Sequence, residues 1–160
     1  MISIKKARRD LFFLGLMKIP MIGYVGPKII EMDENRMVIM IPYKRRTLNH
    51  LKSIYMGAMV IGADLVAGFH AYALIESMEK KVSIVFSSFS SQFLKRAESD
   101  VYFVCDQGAK MQEMINSTIE SGERVTEDIH FKAFTHYPNA PEPVAEFTLG
   151  LSLKSKQIVE

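Results

Sequence analysis

Residues 54–75 read IYMGAMVIGADLVAGFHAYALI and form the longest apolar run of the sequence. Glycine or alanine recurs throughout the run, and Asp64 is its only charged residue. Because the run is apolar on nearly every side of a helix, we expect a helix that is enclosed either by protein or by lipid.

A membrane span is the competing interpretation, since the run matches the roughly 20 residues that cross a bilayer. The carboxylate of Asp64 argues against it, because an acidic side chain at the centre of a lone span costs about 2.5 to 3.5 kcal/mol. The sequence offers no second apolar run to supply a partner for that carboxylate. We therefore expect residues 54–75 to form the core helix of a domain, with no transmembrane segment.

The chain before this run predicts one helix and one hairpin. Residues 3–18 mix basic side chains with Leu and Phe in a pattern that suits an amphipathic helix lying on the core, and Pro20 ends it. After a break at residues 23–27, the β-like segments 28–32 and 36–42 flank an Asp-Glu-Asn turn. We expect an antiparallel β-hairpin there.

The chain after the run predicts an antiparallel meander interrupted by a second helix. The predicted strands are residues 82–86, 89–94, 101–105, 124–135 and 144–153. Residues 107–120 carry apolar side chains at helical spacing, with Asp106 as the expected N-cap and Gly122 as the expected stop. Together with the length of 160 residues, this order predicts a single α+β domain built around a buried helix.

Composition excludes some classes of partner and cofactor. The chain carries 20 Lys and Arg against 18 Asp and Glu, so no overall field directs it to nucleic acid or to an anionic membrane. The N-terminus lacks the features of a secretory signal, and the single cysteine, Cys105, lies in an apolar run, so we expect a buried thiol and a cytoplasmic protein. The histidine spacing predicts no metal, and we expect no bound cofactor.

Three residues around the apolar run form a candidate site: Asn49, Gly57 and Asp64. Seven residues are nearly two helical turns, so Gly57 and Asp64 are expected on the same face of the helix. Gly57 lies near the N-terminus of that helix, where free backbone N–H groups can meet a developing oxyanion. Each residue also has a structural interpretation: Asn49 as a cap or turn residue, Gly57 as a helix-to-sheet packing contact, and Asp64 as a carboxylate hydrogen-bonded in a dimer seam.

The segment NHLKSIYMG at residues 49–57, followed by Asp64, resembles the signature of the hotdog-fold thioesterases. That signature is an Asn, a His-Gly-Gly six residues later, and an Asp or Glu along the helix. Asn49, Gly57 and Asp64 match it, while Tyr55 and Met56 stand where the signature has His and the first Gly.

The resemblance extends over about residues 26–154, with the N-terminal helix outside it, and is closest to the PaaI-like, DUF4442-type branch of that superfamily. It implies the hotdog fold, in which an antiparallel β-sheet wraps around a central buried helix. It also implies a homodimer whose sheets pair edge to edge, with a tetramer left open. Gly57 and Asp64 of one site would then come from different subunits.

The resemblance further implies a function and roles for the site residues. The backbone N–H of Gly57 would hold the carbonyl of an acyl-CoA or related thioester, Asp64 would act as general base or nucleophile, and Asn49 would orient water or substrate. Further residues are expected to contact the substrate: Tyr55, Met56, Arg46, Lys95 and Arg96. The alternatives are a non-catalytic hotdog module that binds acyl groups or CoA, and a structural assembly protein.

Overall fold

The computed structural model of the protein describes residues 2–156. The helices are α1 (Ile4–Phe13), α2 (Pro20–Val25), α3 (Met56–Asp64), α4 (His70–Ser77) and α5 (Gly108–Ser121), with π-helical turns at Leu14–Lys18 and Leu65–Phe69 and a 3-10 turn at Arg45–Thr47. The strands are β1 (Lys28–Met32), β2 (Met37–Ile41), β3 (Val82–Phe93), β4 (Val101–Cys105), β5 (Val125–Thr135) and β6 (Glu142–Ser155).

The strands form one six-stranded sheet in the order β1-β2-β4-β5-β6-β3, and every neighbouring pair is antiparallel. The predicted hairpin of β1 and β2 is confirmed, with Lys28 opposite Met40 and Met32 opposite Met37. β1 and β3 are the two edge strands of this sheet.

Strand β3 corrects the sequence prediction, which placed two strands at residues 82–86 and 89–94. One strand runs through both segments, and a bulge at Ser87 lies between the paired residues Phe86 and Ser88. Gly150 of β6 makes room for the bulge, because a Cβ at that position would overlap the hydroxyl groups of both serines. The extra residue is therefore absorbed without ending the strand.

The long apolar helix lies across the sheet as α3, a π-helical turn and α4, which together form one helix from Met56 to Ser77, called the central helix below. By length and composition alone it could cross a membrane, but 67% of its most apolar window is buried inside the protein. Gly62 packs directly on the ring of Phe103 in β4, where a Cβ would overlap the ring. Protein, rather than lipid, encloses the helix.

Helix α5 follows β4 and packs against α4 and β6. The predicted N-cap, Asp106, is wrong: Gln107 occupies that position without a side-chain bond, and Asp106 instead accepts a hydrogen bond from Arg36 Nη1 at 2.6 Å. Arg36 lies just before β2 and bonds this carboxylate from the neighbouring strand, a contact that local sequence does not reveal. Gly122 does end the helix, in the left-handed conformation with φ of 69°.

The N-terminal helix lies where the sequence places it, but the chain does not leave the helical state at Pro20. Pro20 instead begins α2, because proline is tolerated at the first position of a helix, where no backbone donor is required. The break predicted at residues 23–27 is correspondingly shorter, and Gly26 ends α2 with φ of 72°.

Candidate active site

Asp64 is the last residue of α3 and precedes the π-helical turn Leu65–Phe69. Its side chain is half-buried, and no donor within residues 2–156 bonds to the carboxylate. Burial therefore raises the pKa of Asp64 above its ordinary value, with no partner charge to offset the loss of water.

The carboxylate lines a hollow of about 460 Å³ between the central helix and the edge strand β3. The other lining residues are Val60, Ile61, Phe86, Ser87, Ser88, Phe89 and Leu149. Gly68 lies one turn beyond Asp64, and a Cβ there would come within 2.6 Å of the Phe86 ring and 3.4 Å of Asp64 Oδ1. The glycine thus lets an aromatic ring sit beside the carboxylate.

Gly57 is the second residue of the central helix, and Tyr55 provides no side-chain cap. The N–H groups of Ala58 and Met59 donate to Tyr55 O at 2.9 and 3.1 Å, whereas no acceptor within the described chain meets those of Met56 and Gly57. Free N–H groups at a helix start can stabilise an oxyanion. The Tyr55 ring covers Gly57 closely, since a Cβ there would lie 2.6 Å from Cε1.

Asn49 holds the loop that precedes the central helix. Its Oδ1 accepts from the backbone N–H of Leu51 at 2.9 Å and of Ser53 at 3.1 Å, and its Nδ2 donates to Ser53 Oγ at 2.9 Å. These bonds explain the asparagine as a turn residue that fixes the loop, as its structural interpretation expected.

A second hollow, of about 360 Å³, lies beside this loop. Its lining residues are Asn49, Ser53, Ile54, Met56, Met59, Phe93, Leu94, Lys95, Arg96 and Ala97. The structure thus brings four of the expected site residues together: Asn49, Met56, Lys95 and Arg96. Lys95 Nζ donates to Glu142 Oε2 at 2.7 Å, which lowers the pKa of Glu142.

Gly57 and Asp64 lie near opposite ends of α3, and neither of the two hollows is lined by both residues. A helix rises 1.5 Å per residue, which separates the two positions by roughly 10 Å along the axis. Both hollows, however, are bounded by the exposed edge strand and its extension: Phe86 to Phe89 at one and Phe93 to Leu94 at the other.

Arg46, the remaining residue expected to contact the substrate, lies away from both hollows. Its guanidinium carbon lies 5.9 Å from the centroid of the Tyr24 ring in α2, and it lines neither of the hollows bounded by Asp64 and Asn49. The insertion of α2 before the hairpin, which the sequence did not predict, attracts this arginine.

Sequence reasoning missed two features of the site, the π-helical turn after Asp64 and the bulge at Ser87. The π-helical turn has the same apolar composition as the rest of the helix, so no residue pattern predicts it. The bulge left no distinctive signal, because serine pairs stand at both residues 87–88 and residues 90–91 of the strand.

Two other titratable groups are buried away from the site. Burial raises the pKa of Cys105 to about 11, which fits the predicted buried thiol. His70 is fully buried, its Nε2 lies 2.9 Å from Asp33 O, and its Nδ1 meets no partner among residues 2–156. Over the same residues, no three His, Cys, Asp or Glu side chains come together as a metal site.

Solved structures share this fold over nearly the whole chain. A protein of unknown function from Pseudomonas aeruginosa, described as a "Probable Thioesterase", superposes with a TM-score of 0.79 at 18% identity, covering 97% of both chains. A thioesterase family protein from Silicibacter pomeroyi gives 0.68 at 17% identity, covering 96% of this chain and 100% of the other. The PaaI protein of E. coli, from the phenylacetic acid degradation operon, gives 0.64 at 16% identity, covering 96% and 97%.

No curated protein matches the sequence. A family model does: the "Domain of unknown function (DUF4442)" matches residues 8–133, which is most of the chain. The six-stranded antiparallel sheet with its long packed helix confirms the expected α+β hotdog fold. The chain belongs to the DUF4442 family and has the hotdog fold.

Proposed function

We propose that the protein hydrolyses an acyl-CoA or a related acyl thioester at a site shared between two copies of the chain. One observation carries the proposal: a half-buried, unpaired carboxylate and a pair of free helix N–H groups lie along the same apolar helix, each beside a hollow. General-base chemistry and oxyanion stabilisation need these two groups.

The separation of about 10 Å between Gly57 and Asp64 supports a dimeric site. β3 is an edge strand of 12 residues that exposes large apolar side chains: Val85, Phe86, Phe89 and Phe93, with Leu94 just beyond its end. An exposed edge strand has unpaired backbone N–H and C=O groups, which can pair with a strand of another molecule. Two-fold, antiparallel pairing of β3 would set the Phe93 end of one strand against the earlier half of its partner, and so bring unlike hollows together.

The reaction follows from the two groups. Asp64 of one subunit accepts a proton from water, and the water oxygen forms a bond to the thioester carbon. The N–H of Gly57 from the other subunit donates to the oxygen that becomes negative. When the intermediate collapses, the C–S bond breaks and the thiolate leaves with the proton held by Asp64, giving a carboxylic acid and a thiol.

Substrate contacts are assigned from the second hollow. Met56 and Met59 offer flexible apolar surface for an acyl group, and Tyr55 borders the N–H groups at the helix start. Lys95 and Arg96 are placed to meet phosphate groups of a CoA carrier, Lys95 after release from Glu142. Asn49 would act by holding the loop rather than by touching water.

The proposal is tested by incubating the purified protein with acyl-CoAs of several chain lengths and following thiol release. Asp64→Asn should lower kcat at least about 100-fold, since general-base catalysis contributes 10² to 10⁴. Asp128→Asn, an exposed acid on β5, serves as the matched control and should retain wild-type rates. In the wild type, kcat/KM should rise with pH through the raised pKa of Asp64, because only the ionised carboxylate accepts a proton.

A non-catalytic acyl-binding module is the second candidate. The specific observation in its favour is the Tyr55 ring, which covers Gly57. Tyr55 stands where the signature of the hotdog-fold thioesterases has His. Protection against heat denaturation by acyl-CoA, without thiol release from any member of the panel, would favour this module over the enzyme.

A further inference from the structure

The N-terminal helices present an apolar surface to solvent that neither hollow uses. It consists of Phe12, Phe13, Leu16, Met17, Ile19, Met21 and Tyr24, called the N-terminal patch below. Between 45% and 71% of each side chain is exposed. Seven large apolar residues exposed within so short a segment mark a contact surface rather than ordinary surface variation.

The patch belongs to a well-packed structure. Gly15 and Gly23 lie backbone to backbone, and a Cβ on either would come within 2.9 Å of the other's main chain. Leu11, Ile22 and Val25 fill the inner side and are buried in the core. Because small residues occupy the crossing, the helices pack closely while the larger side chains point outward.

Positive charge is concentrated on the same segment. Residues 2–28 contain six Lys and Arg and one acid, whereas residues 29–160 contain fourteen Lys and Arg and seventeen acids. The one acid, Asp10, forms an ion pair with Arg9. Lys18 and Lys28 are exposed and form no ion pair in the part of the chain that the structure describes.

The neighbouring 3-10 turn Arg45–Thr47 adds to this charge. Arg45 and Arg46 are both exposed, and Arg46 stacks over Tyr24 within the patch. Apolar side chains, an aromatic ring and unpaired cations therefore share one surface, the combination found on helices that lie in a membrane interface.

The patch also lies away from the edge expected to pair in the dimer. Helix α1 packs against β1, which is the opposite edge strand from β3. A second copy of the chain is a poor occupant, because a two-fold contact would bring two positively charged surfaces together. An anionic surface has the complementary charge.

We propose that the N-terminal patch docks the protein on the surface of an anionic phospholipid bilayer. The apolar side chains enter the boundary between headgroups and acyl chains, while Lys18, Lys28 and the arginines of the 3-10 turn meet lipid phosphates. The core helix stays within the protein. The inference is independent of whether the protein hydrolyses thioesters.

Sedimentation with vesicles tests the proposal. The wild type should bind vesicles of phosphatidylcholine with phosphatidylglycerol, and bind those of phosphatidylcholine alone at least about tenfold more weakly. Lys18→Glu/Lys28→Glu should weaken binding to the anionic vesicles at least about tenfold. Lys80→Glu/Lys81→Glu changes the same charge at exposed sites before β3 and should leave binding within about twofold.

A second variant tests the apolar half of the patch. Phe12→Ser/Met17→Ser should also lose at least about tenfold in binding, and both positions are exposed enough that circular dichroism should report an unchanged fold. Absence of vesicle binding by the folded wild type would overturn the proposal. An equal loss of binding in the Lys80→Glu/Lys81→Glu control would overturn it too. A patch that only joins copies of the chain would also contradict it: the solution mass would then fall in Phe12→Ser/Met17→Ser, and the wild type would not bind vesicles.

Discussion

At the scale of single residues, Asp64 lowers the stability of the fold that contains it. Its folded-state pKa is raised by burial, so folding opposes ionisation. Below its unfolded pKa of about 3.9, Asp64 is protonated in both states and does not lower the free energy of unfolding. As pH rises above that value, the unfolded chain ionises more readily than the folded one, and the free energy of unfolding decreases.

Asp64→Asn should therefore stabilise the protein at pH 7 while abolishing hydrolysis. We expect a gain on the order of 1 kcal/mol, or roughly 2–4 °C in Tm for a chain of this size. Calorimetry at pH 7 measures it, and Asp128→Asn provides the exposed comparison. A lower Tm for Asp64→Asn would mean that the carboxylate has a stabilising partner.

His70 acts in the opposite pH range. Burial lowers its pKa in the folded state, with Asp33 opposing the shift through the contact at Nε2. Below the unfolded pKa of about 6.5 the unfolded chain binds a proton that the folded chain refuses, so stability is present above that pH and falls as pH decreases.

His70→Gln should flatten this dependence, because the glutamine amide can still donate to Asp33 O but does not titrate. The measurement is Tm at pH 7.5 and at pH 5.5 for both proteins. The wild type should lose several degrees more than the variant over this interval. Equal losses would place the acid sensitivity in other groups.

At the scale of elements, the bulge in β3 shapes the hollow beside Asp64. Gly150→Ala would force a methyl group into the Ser87 and Ser88 hydroxyls. We expect destabilisation of about 1–3 kcal/mol, as for other overpacked sites. Denaturant unfolding measures the change, and Ser87→Gly/Gly150→Ala should recover part of it, because removing one hydroxyl relieves the overlap. No recovery would show that the bulge does not depend on this contact.

The same element shows what sequence could and could not predict. Periodicity located the central helix, the hairpin and most strands, because one buried face imposes its pattern on local sequence. The continuity of β3 depends on Gly150, sixty residues away in the chain, and the cap at α5 depends on Arg36 across the sheet. Interactions between distant segments leave little trace in a local pattern.

The sequence also predicts part of the candidate site. Asp64 and Gly57 stand out in the sequence because they lie seven residues apart in the apolar run. The structure places Asp64 beside a hollow and leaves the Gly57 N–H without an acceptor among residues 2–156, and the catalytic roles of both residues stay predictions. The contact of Arg46 with Tyr24 could not be predicted, because it depends on helix α2. The sequence does not predict α2, since proline and glycine usually end helices rather than bracket a short one.

At the scale of the whole molecule, two unlike surfaces lie at opposite edges of one sheet. The β3 edge exposes strand and apolar side chains beside both hollows, and the β1 edge carries the N-terminal helices with their basic rim. A dimer through β3 would leave both N-terminal patches free. Catalysis and membrane docking could then proceed without competing for surface.

Mixed dimers test the shared site most directly. Gly57→Pro removes the N–H donor in the first turn of the helix, where that N–H has no intrahelical acceptor, and the flexible Tyr55 side chain must move aside for the proline ring. Asp64→Asn removes the base. Each variant alone should be inactive. Unfolding and refolding them together in equal amounts should restore about a quarter of wild-type activity, because half of the dimers then contain one site with both groups intact. Mixtures that stay inactive, while light scattering shows that mixed dimers have formed, would contradict a site built from two subunits.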